Sequence, residues 1–203
     1  MAIVDSQMIS FERCLNFLSI PQEGIQRAPI PWSEDGKEWI NEGKIEFIDY
    51  WVRYRPETQL VLRNINMKIE GGMKIGVVGR TGAGKSTLCL ALWRILEGES
   101  GRIMIDGIDI SSIGLSDLRE RITIIPQDST LFENSLRFNL DPDNNSTDQQ
   151  IMELVNKAAL TNLVVNGERG LDLPIKMKGD NLSSGERQLI CICRSILRVR
   201  LFV

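Results

Sequence analysis

Histidine is absent from the 203 residues of this chain, and long apolar runs are absent as well. Without an imidazole, the Ser-His and Cys-His arrangements of nucleophilic catalysis are excluded. A membrane-spanning helix needs about 20 consecutive apolar residues, and the sequence shows neither such a run nor the pattern of a signal peptide. We therefore expect any membrane role to come through other parts of a larger assembly.

Charge of one sign does not dominate either. Lys and Arg number 24 and Asp and Glu number 27, which gives a net charge of −3. Domains that bind nucleic acids are usually basic, so no nucleic-acid partner is predicted. The spacing of Cys14, Cys89, Cys191 and Cys193 fits neither a zinc site nor a disulfide framework. These cysteines are predicted to be small core residues in a reducing compartment.

What the chain does have is a glycine-rich stretch that matches the pattern G-x-x-x-x-G-K-[ST] of a phosphate-binding P-loop. An apolar, β-branched run at residues 74–78 precedes it and is predicted to be a buried strand. Apolar residues 88–96 follow it and are predicted to form a helix packed on that strand. This order of strand, loop and helix is the context that the motif requires. Its nine residues are Gly79, Arg80, Thr81, Gly82, Ala83, Gly84, Lys85, Ser86 and Thr87.

The residue types of this motif suit a phosphate ligand. Glycines let successive backbone N–H groups point into one concavity, and a helix that begins near Gly84 adds its positive end. Lys85 offers a full positive charge to the outer phosphates, and the Ser86 hydroxyl is suited to ligand Mg²⁺. The competing interpretation is a glycine-rich turn with an exposed lysine.

Before the P-loop, residues 1–19 are predicted to form a helix. Residues 21–43 are rich in proline and glycine and are predicted to be a linker whose two tryptophans pack on the domain. Alternating apolar residues then predict β-strands around residues 45–50 and 65–69. Tyr54 lies between these strands. An aromatic ring just upstream of a P-loop could stack on a purine, but core or surface packing would use the same residue type.

After the P-loop, two apolar runs around Asp106 and Gly107 predict a hairpin, and Ser116 is expected to cap a short helix. Residues 122–125 are predicted to be a buried strand, with Gln127 just past its end. Ligands bind beyond the carboxyl ends of strands in parallel sheets. Gln127 could therefore ligand Mg²⁺ or hold a water, or it could be an ordinary polar residue at a strand end.

Residues 130–180 are predicted to be mostly helical. Thr147 and Gln150 form a capping box at the start of one helix, whose apolar stripe is expected to face the core. Ser183 and Glu186 form a second capping box ahead of the last long helix. The first turn of that helix has N–H groups that could bind an anion, but an ordinary well-capped helix would have the same sequence.

The P-loop, the glutamine at a strand end and an L-S-x-G-x-x-Q helix, in this order, resemble the nucleotide-binding domain of ATP-binding cassette (ABC) transporters. The segments IDGIDI, IIPQD and FNLDP make the chain most like the second such domain of the multidrug-resistance-associated (C) subfamily. The resemblance covers residues 44 to about 200. The residues that match the family's signature are Leu182, Ser183, Ser184, Gly185, Glu186, Arg187 and Gln188.

The resemblance implies an α/β fold. A P-loop NTPase (RecA-like) core would carry an N-terminal antiparallel β subdomain and an α-helical subdomain at about residues 130–187. Residues 1–43 would be a helix and linker that follow the last transmembrane helix of the parent protein. Residues 44–203 would be the nucleotide-binding domain itself.

The resemblance also implies roles for the candidate site residues. Tyr54 would stack on the adenine of ATP, residues 79–87 would hold its phosphates, and Ser86 and Gln127 would ligand Mg²⁺. Gln127 would also couple the domain to the transmembrane domains of the same transporter, at the cytoplasmic face of the membrane. Residues 183–185 would contact ATP held by a second nucleotide-binding domain, in a head-to-tail pair. The chain would then be the ATP-binding domain of an ABC exporter whose ATP hydrolysis drives transport.

The sequence departs from the family pattern near its end. Family members follow the signature helix with a strand that ends in Asp-Glu and, later, with a histidine, and none of these is found before Val203. We therefore expect a core that is incomplete at the C-terminus, in a fragment that binds ATP weakly and does not hydrolyse it. Two other interpretations stay open: a soluble ABC ATPase of another class, and a non-catalytic regulatory module that pairs with an intact domain.

Overall fold

The computed structural model describes residues 2–20, 22–25, 39–165, 169–198 and 201–202. Over these residues the chain forms an antiparallel β-sheet packed on helices, followed by a mainly helical lobe. None of the helices within these ranges is both long and apolar enough to cross a membrane.

The elements of the described residues confirm the predicted helix at the N-terminus and the predicted β-strands ahead of the P-loop. Three 3₁₀ turns, at Ile110–Ser112, Gly170–Asp172 and Met177–Gly179, lie between the longer elements. In chain order, those elements are α1 (Ala2–Leu18), β1 (Ile45–Val52), β2 (Leu62–Ile69), α2 (Lys85–Leu92), β3 (Ser100–Ile105), β4 (Ile108–Asp109), α3 (Leu115–Arg121), β5 (Ile122–Thr123), β6 (Asn134–Ser135), α4 (Leu136–Leu140), α5 (Asp148–Lys157), α6 (Thr161–Val165), β7 (Pro174–Ile175), α7 (Ser184–Arg198) and β8 (Leu201–Phe202).

The main sheet has the strand order β2-β1-β3-β4, and every neighbouring pair is antiparallel. The register of β1 shifts between Phe47 and Tyr50, where Asp49 adopts a φ of +46°. This β-bulge turns Tyr50, rather than Asp49, toward the core. The predicted hairpin between β3 and β4 is confirmed, because Asp106 and Gly107 both have the positive φ of a two-residue type I′ turn.

The first hydrophobic core lies between this sheet and helices α2 and α3. Leu92 of α2 and Leu118 of α3 are buried against side chains of β1, β2 and β3. Trp39 is 4% exposed, and its Nε1 donates to the carbonyl oxygen of Ile105 at 3.0 Å. The expectation that this tryptophan packs on the domain is confirmed, whereas Trp32 lies outside the described residues.

The second hydrophobic core lies inside the helical lobe. Leu140 of α4, Ile151 of α5 and Ile190 of α7 are buried together. The predicted capping box of α5 is confirmed. The N–H of Gln150 donates to Oγ1 of Thr147 at 3.3 Å, and the N–H of Thr147 donates to Oε1 of Gln150 at 2.9 Å.

The predicted buried strand at residues 74–78 is wrong. These residues are irregular, and the side chains of Ile75 and Val78 are 50% and 98% exposed. A run that is apolar on both faces becomes a buried strand only when neighbouring strands accept its backbone hydrogen bonds and helices cover its faces. No strand among the described residues pairs with this run, so it leads into the P-loop uncovered.

Two predictions next to β5 are also corrected. The strand expected at residues 122–125 is limited to β5, which pairs in parallel with β8 and has no other strand partner within the described ranges. Helix α3 begins after Gly114, whose backbone is extended, so Ser116 lies inside the helix rather than at its cap. The short pairing explains why Ile125 stays 41% exposed.

The prediction for residues 130–180 is correct only in part. The segment holds the short helices α4, α5 and α6, but also the β6-β7 pair and two 3₁₀ turns. Pro174 lacks a backbone N–H and therefore does not continue a helix. The expectation that the cysteines are core residues is confirmed for Cys191 and Cys193, which are buried, but not for Cys14, which is exposed; Cys89 is half-buried.

Asp106 fastens the segment ahead of β1 to the turn between β3 and β4. Its carboxylate accepts hydrogen bonds from the N–H groups of residues 41–44 at 2.7–3.1 Å. Burial alone would raise the pKa of Asp106, but the four N–H donors stabilise the charged form and lower the pKa overall. The ionised carboxylate therefore stabilises the folded chain.

We predict that Asp106→Asn lowers the free energy of unfolding by about 1–2 kcal/mol near neutral pH, because a neutral amide replaces a charged acceptor. The folded pKa lies below the unfolded value, so this stabilisation is present above about pH 4 and is lost as the pH falls through the folded pKa. Urea unfolding across this pH range measures it, with the exposed Asp172→Asn as the control. If the free energies of unfolding of wild type and Asp106→Asn differed by the same amount down to low pH, this account would be contradicted.

Candidate functional site

The glycine loop at residues 79–87 runs into helix α2, which begins at Lys85. Gly82 and Gly84 have φ values of +81° and +87°, in the left-handed region that residues with a Cβ seldom adopt. Gly84 occupies the N-cap position and offers no side chain to the first turn. The first N–H groups of α2 have no acceptor within the helix, so they suit an anion.

Gly84 also sits against the start of β2. A Cβ on Gly84 would lie 2.8 Å from Cδ2 of Leu62 and 3.4 Å from Cγ1 of Val61. A Cβ on Gly82 would meet no atom within 4 Å. The loop is therefore tightly packed where it enters α2 and open at its tip.

Lys85 turns back onto the loop. Its Nζ donates to the carbonyl oxygens of Gly79 and Arg80, both at 2.9 Å. Ser86 is exposed, and Thr87 is 3% exposed. The loop thus combines the positive charge of Lys85, the N–H dipoles of a helix start and an exposed hydroxyl residue.

Tyr54 lies beside this loop and not in the core. Its side chain is 49% exposed, and its hydroxyl lies 3.1 Å from Oγ1 of Thr87, in a hydrogen bond that either group can donate. The preceding residue, Arg53, forms an ion pair with Glu99 at 2.6 Å. The sequence left core packing open for Tyr54, and the structure excludes it.

The second candidate anion site is the start of α7. Its predicted capping box is confirmed, because the N–H of Glu186 donates to Oγ of Ser183 at 3.3 Å and the N–H of Ser183 donates to the Glu186 carboxylate at 2.7 Å. The Ser183 hydroxyl and N–H together lower the pKa of Glu186. Arg187 donates to the carbonyl of Leu182 at 2.9 Å and fixes the approach to the helix. A Cβ on Gly185 would meet no atom within 4 Å, so this turn is open to solvent.

Comparison with known proteins decides what these two sites belong to. The model of the ABC transporter family matches residues 62–202, which include both the glycine loop and the start of α7. The chain belongs to the ABC transporter family. This confirms the resemblance that the motifs indicated.

The curated relatives of this ABC domain include C-subfamily proteins from animals and plants. The chain is 48% identical over 198 residues to human "ATP-binding cassette sub-family C member 2" and 46% identical to "ABC transporter C family MRP4" of Zea mays. It is 45% identical to "ABC transporter C family member 3" of Arabidopsis thaliana. Each match covers 96% of this chain, but the chain spans only 12–13% of the length of these relatives.

A solved bacterial Atm1-family ABC exporter with ATP bound is similar in fold, with a TM-score of 0.83. The match covers 98% of this chain and 35% of the exporter chain, at 24% sequence identity. At this identity the similarity shows the fold alone, and it confirms the predicted α/β class.

The ABC domain brings only some of its predicted site residues together. Tyr54 contacts Thr87, and Lys85 contacts the loop that precedes it. Gln127 is exposed beyond the end of β5. In the part of the chain that the structure describes, no hydrogen bond joins Gln127 or residues 183–185 to the P-loop.

The sequence analysis missed a polar cluster that ties the segment after Gln127 to α7. The side chain of Asn139 is fully buried, accepts from the N–H of Phe132 at 2.8 Å and donates to its carbonyl at 2.9 Å. Arg194 of α7 donates to the carbonyls of Asn139 and Thr130 at 2.6 and 3.1 Å. One sequence gives no pattern that pairs an asparagine with an arginine 55 positions later.

We predict that Gly84→Ala destabilises the chain by about 2–3 kcal/mol, since an alanine there combines a left-handed backbone with a clash against Leu62. Gly82→Ala is the matched control, because its φ is similar but its surroundings are open. It should cost only about 1 kcal/mol. Urea unfolding gives the free energy of unfolding of both variants. Equal destabilisation would show that the close contact of Gly84 with β2 adds nothing to the cost of an alanine there.

Proposed function

We propose that this chain is the nucleotide-binding domain of a C-subfamily ABC exporter, in the position of the second such domain, and that it binds Mg-ATP at residues 79–87. The glycine loop carries the proposal. Two glycines with left-handed backbones, the start of α2 and the ammonium group of Lys85 meet in one exposed loop.

A polyphosphate suits the donors of this loop. The ammonium of Lys85 bonds two neutral carbonyl oxygens, and its hydrogen bonds to charged phosphate oxygens would be about twice as strong. The N–H groups at the start of α2 could donate to a phosphate, and the half-exposed ring of Tyr54 offers a flat face to adenine. When bound, ATP supplies the phosphoanhydride bond whose hydrolysis drives transport in this family.

Magnesium is proposed to enter together with the nucleotide. Mg²⁺ prefers oxygen ligands and keeps phosphate oxygens and waters around it. Ser86 and Gln127 offer two neutral oxygens. Across the described ranges no group of three or more His, Cys, Asp or Glu residues could hold a metal. Binding of Mg²⁺ would therefore depend on the ATP phosphates, which supply the negative charge.

The proposed partners are a second ABC nucleotide-binding domain and the transmembrane domains of the same transporter. The start of α7 would contact ATP held on the second domain, because residues 183–185 are exposed and Gly185 leaves room for a phosphate. Gln127 and the helical lobe would face the transmembrane domains. The chain would then act at the cytoplasmic face of the membrane, as part of an integral membrane transporter.

The alternative is a non-catalytic module that pairs with an intact domain. Residues 189–203 contain no Asp, Glu or His. Phosphoryl transfer to water needs a group that orients the attacking water, and losing such a group costs on the order of hundredfold or more in rate. In both cases this polypeptide binds ATP weakly and does not turn it over.

We predict that Lys85→Ala weakens binding of Mg-ATP about 10- to 100-fold, because charge-assisted hydrogen bonds to phosphate are lost. Calorimetric titration of the 203-residue chain measures this. Lys157→Ala, an exposed lysine of the helical lobe, is the control and should match wild type. Equal ATP affinity of Lys85→Ala and wild type would refute the P-loop assignment.

Phosphate release from the purified 203-residue chain in Mg-ATP is expected to stay at background, since its residues 189–203 include no Asp, Glu or His that could orient the attacking water. A coupled phosphate assay on wild type and Lys85→Ala tests this expectation. Turnover that Lys85→Ala abolishes would show that a catalytic carboxylate elsewhere in the chain has been overlooked.

Substitutions at Gly185 test the proposed pairing. Gly185→Glu puts a negative charge where a partner's phosphate would lie, so it should abolish ATP-dependent association with an intact nucleotide-binding domain. Gln149→Glu adds the same charge at an exposed position in α5, so it should keep the association and leave stability within about 0.5 kcal/mol. Analytical ultracentrifugation with and without ATP reports the pairing. Association that survives Gly185→Glu would remove α7 from the interface.

A further inference from the structure

The turn that carries Tyr54 has a firmly held backbone. The guanidinium of Arg53 bonds the Glu99 carboxylate at 2.6 and 2.9 Å and donates to the carbonyl of Thr58 at 3.2 Å. The N–H of Arg55 donates to Oγ1 of Thr58 at 3.1 Å. These hydrogen bonds restrain the backbone around Tyr54, which leaves its side-chain torsions as the main freedom of the ring.

The segment between β1 and β2 meets the P-loop at two places. At its end, Val61 and Leu62 lie against Gly84. Nearer its start, the hydroxyl of Tyr54 reaches Oγ1 of Thr87 at 3.1 Å. Thr87 is a buried, β-branched residue with few rotamers. The tip of the ring is therefore tied to a rigid group in the first turn of α2, the turn that supplies the phosphate donors.

We propose that the hydroxyl pair of Tyr54 and Thr87 is a positioning contact that holds the aromatic face ready for the base of a nucleoside triphosphate. It links recognition of the base to binding of the phosphates, because the ring and the first turn of α2 are held as one unit. The inference rests on the proposed function, namely nucleotide binding at residues 79–87.

The contact acts through preorganisation. A ring that is already oriented loses little rotamer freedom when a base stacks on it, so the base contributes more to affinity. Tyr54→Phe keeps the aromatic face but frees the tip of the ring. One neutral hydrogen bond corresponds to an affinity change of about 2- to 10-fold.

A double-mutant cycle on the 203-residue chain tests this contact. Calorimetry compares Mg-ATP with Mg-tripolyphosphate, which has no base, for wild type, Tyr54→Phe, Thr87→Val and the double variant. Tyr54→Phe should weaken ATP binding about 2- to 10-fold and leave tripolyphosphate binding unchanged. In the Thr87→Val background, Tyr54→Phe should have no further effect on ATP, since the hydroxyl pair is already broken.

Thr87→Ser keeps a hydroxyl and serves as the conservative background. Tyr54→Phe should weaken ATP binding there as it does in wild type. Additive effects of Tyr54→Phe and Thr87→Val on ATP, or an equal loss for ATP and tripolyphosphate, would overturn the inference. Failure of the proposed function has a different signature, because wild type and Lys85→Ala would then bind both ligands equally.

Discussion

The close approach of Gly84 to the start of β2 is the contact on which the site depends. It places the start of α2 directly against the antiparallel sheet, with Leu62 and Val61 as the surface that the loop rests on. From that start, Lys85 turns back onto the loop and Thr87 reaches Tyr54. A Cβ at Gly84 would lie 2.8 Å from Cδ2 of Leu62, so either that buried side chain or the start of α2 would have to move.

The second candidate site, at the start of α7 in the helical lobe, is held in place by hydrogen bonds. The start of α7 is held by a capping box and by the contact of Arg187 with the backbone that precedes the helix. Arg194, two turns further along, bonds the buried segment around Asn139, which follows Gln127 in the chain. The signature turn and the segment after Gln127 are thus hydrogen-bonded to the same helix.

The features that the sequence predicted are those set by neighbouring residues. A P-loop, two capping boxes and a type I′ hairpin each depend on a few consecutive side chains, and all of these local structures are present. The strand predicted at residues 74–78 is not formed among the described residues. Such a strand needs partner strands from distant parts of the chain, and a hydrophobic pattern does not show whether these are present. Tyr54 and Thr87 lie 33 positions apart. The sequence identified both as candidate site residues, but it could not predict the hydrogen bond between them.

The central claim is that nucleotide phosphates bind the loop at residues 79–87, while the start of α7 stays ready for a second domain. An NMR titration of the ¹⁵N-labelled chain with Mg-ATP tests it most directly. The account predicts that backbone amide signals of residues 82–86 shift, whereas those of residues 183–185 do not, since these meet nucleotide only on a partner. Unchanged signals in the glycine loop, or shifts confined to the start of α7, would contradict it.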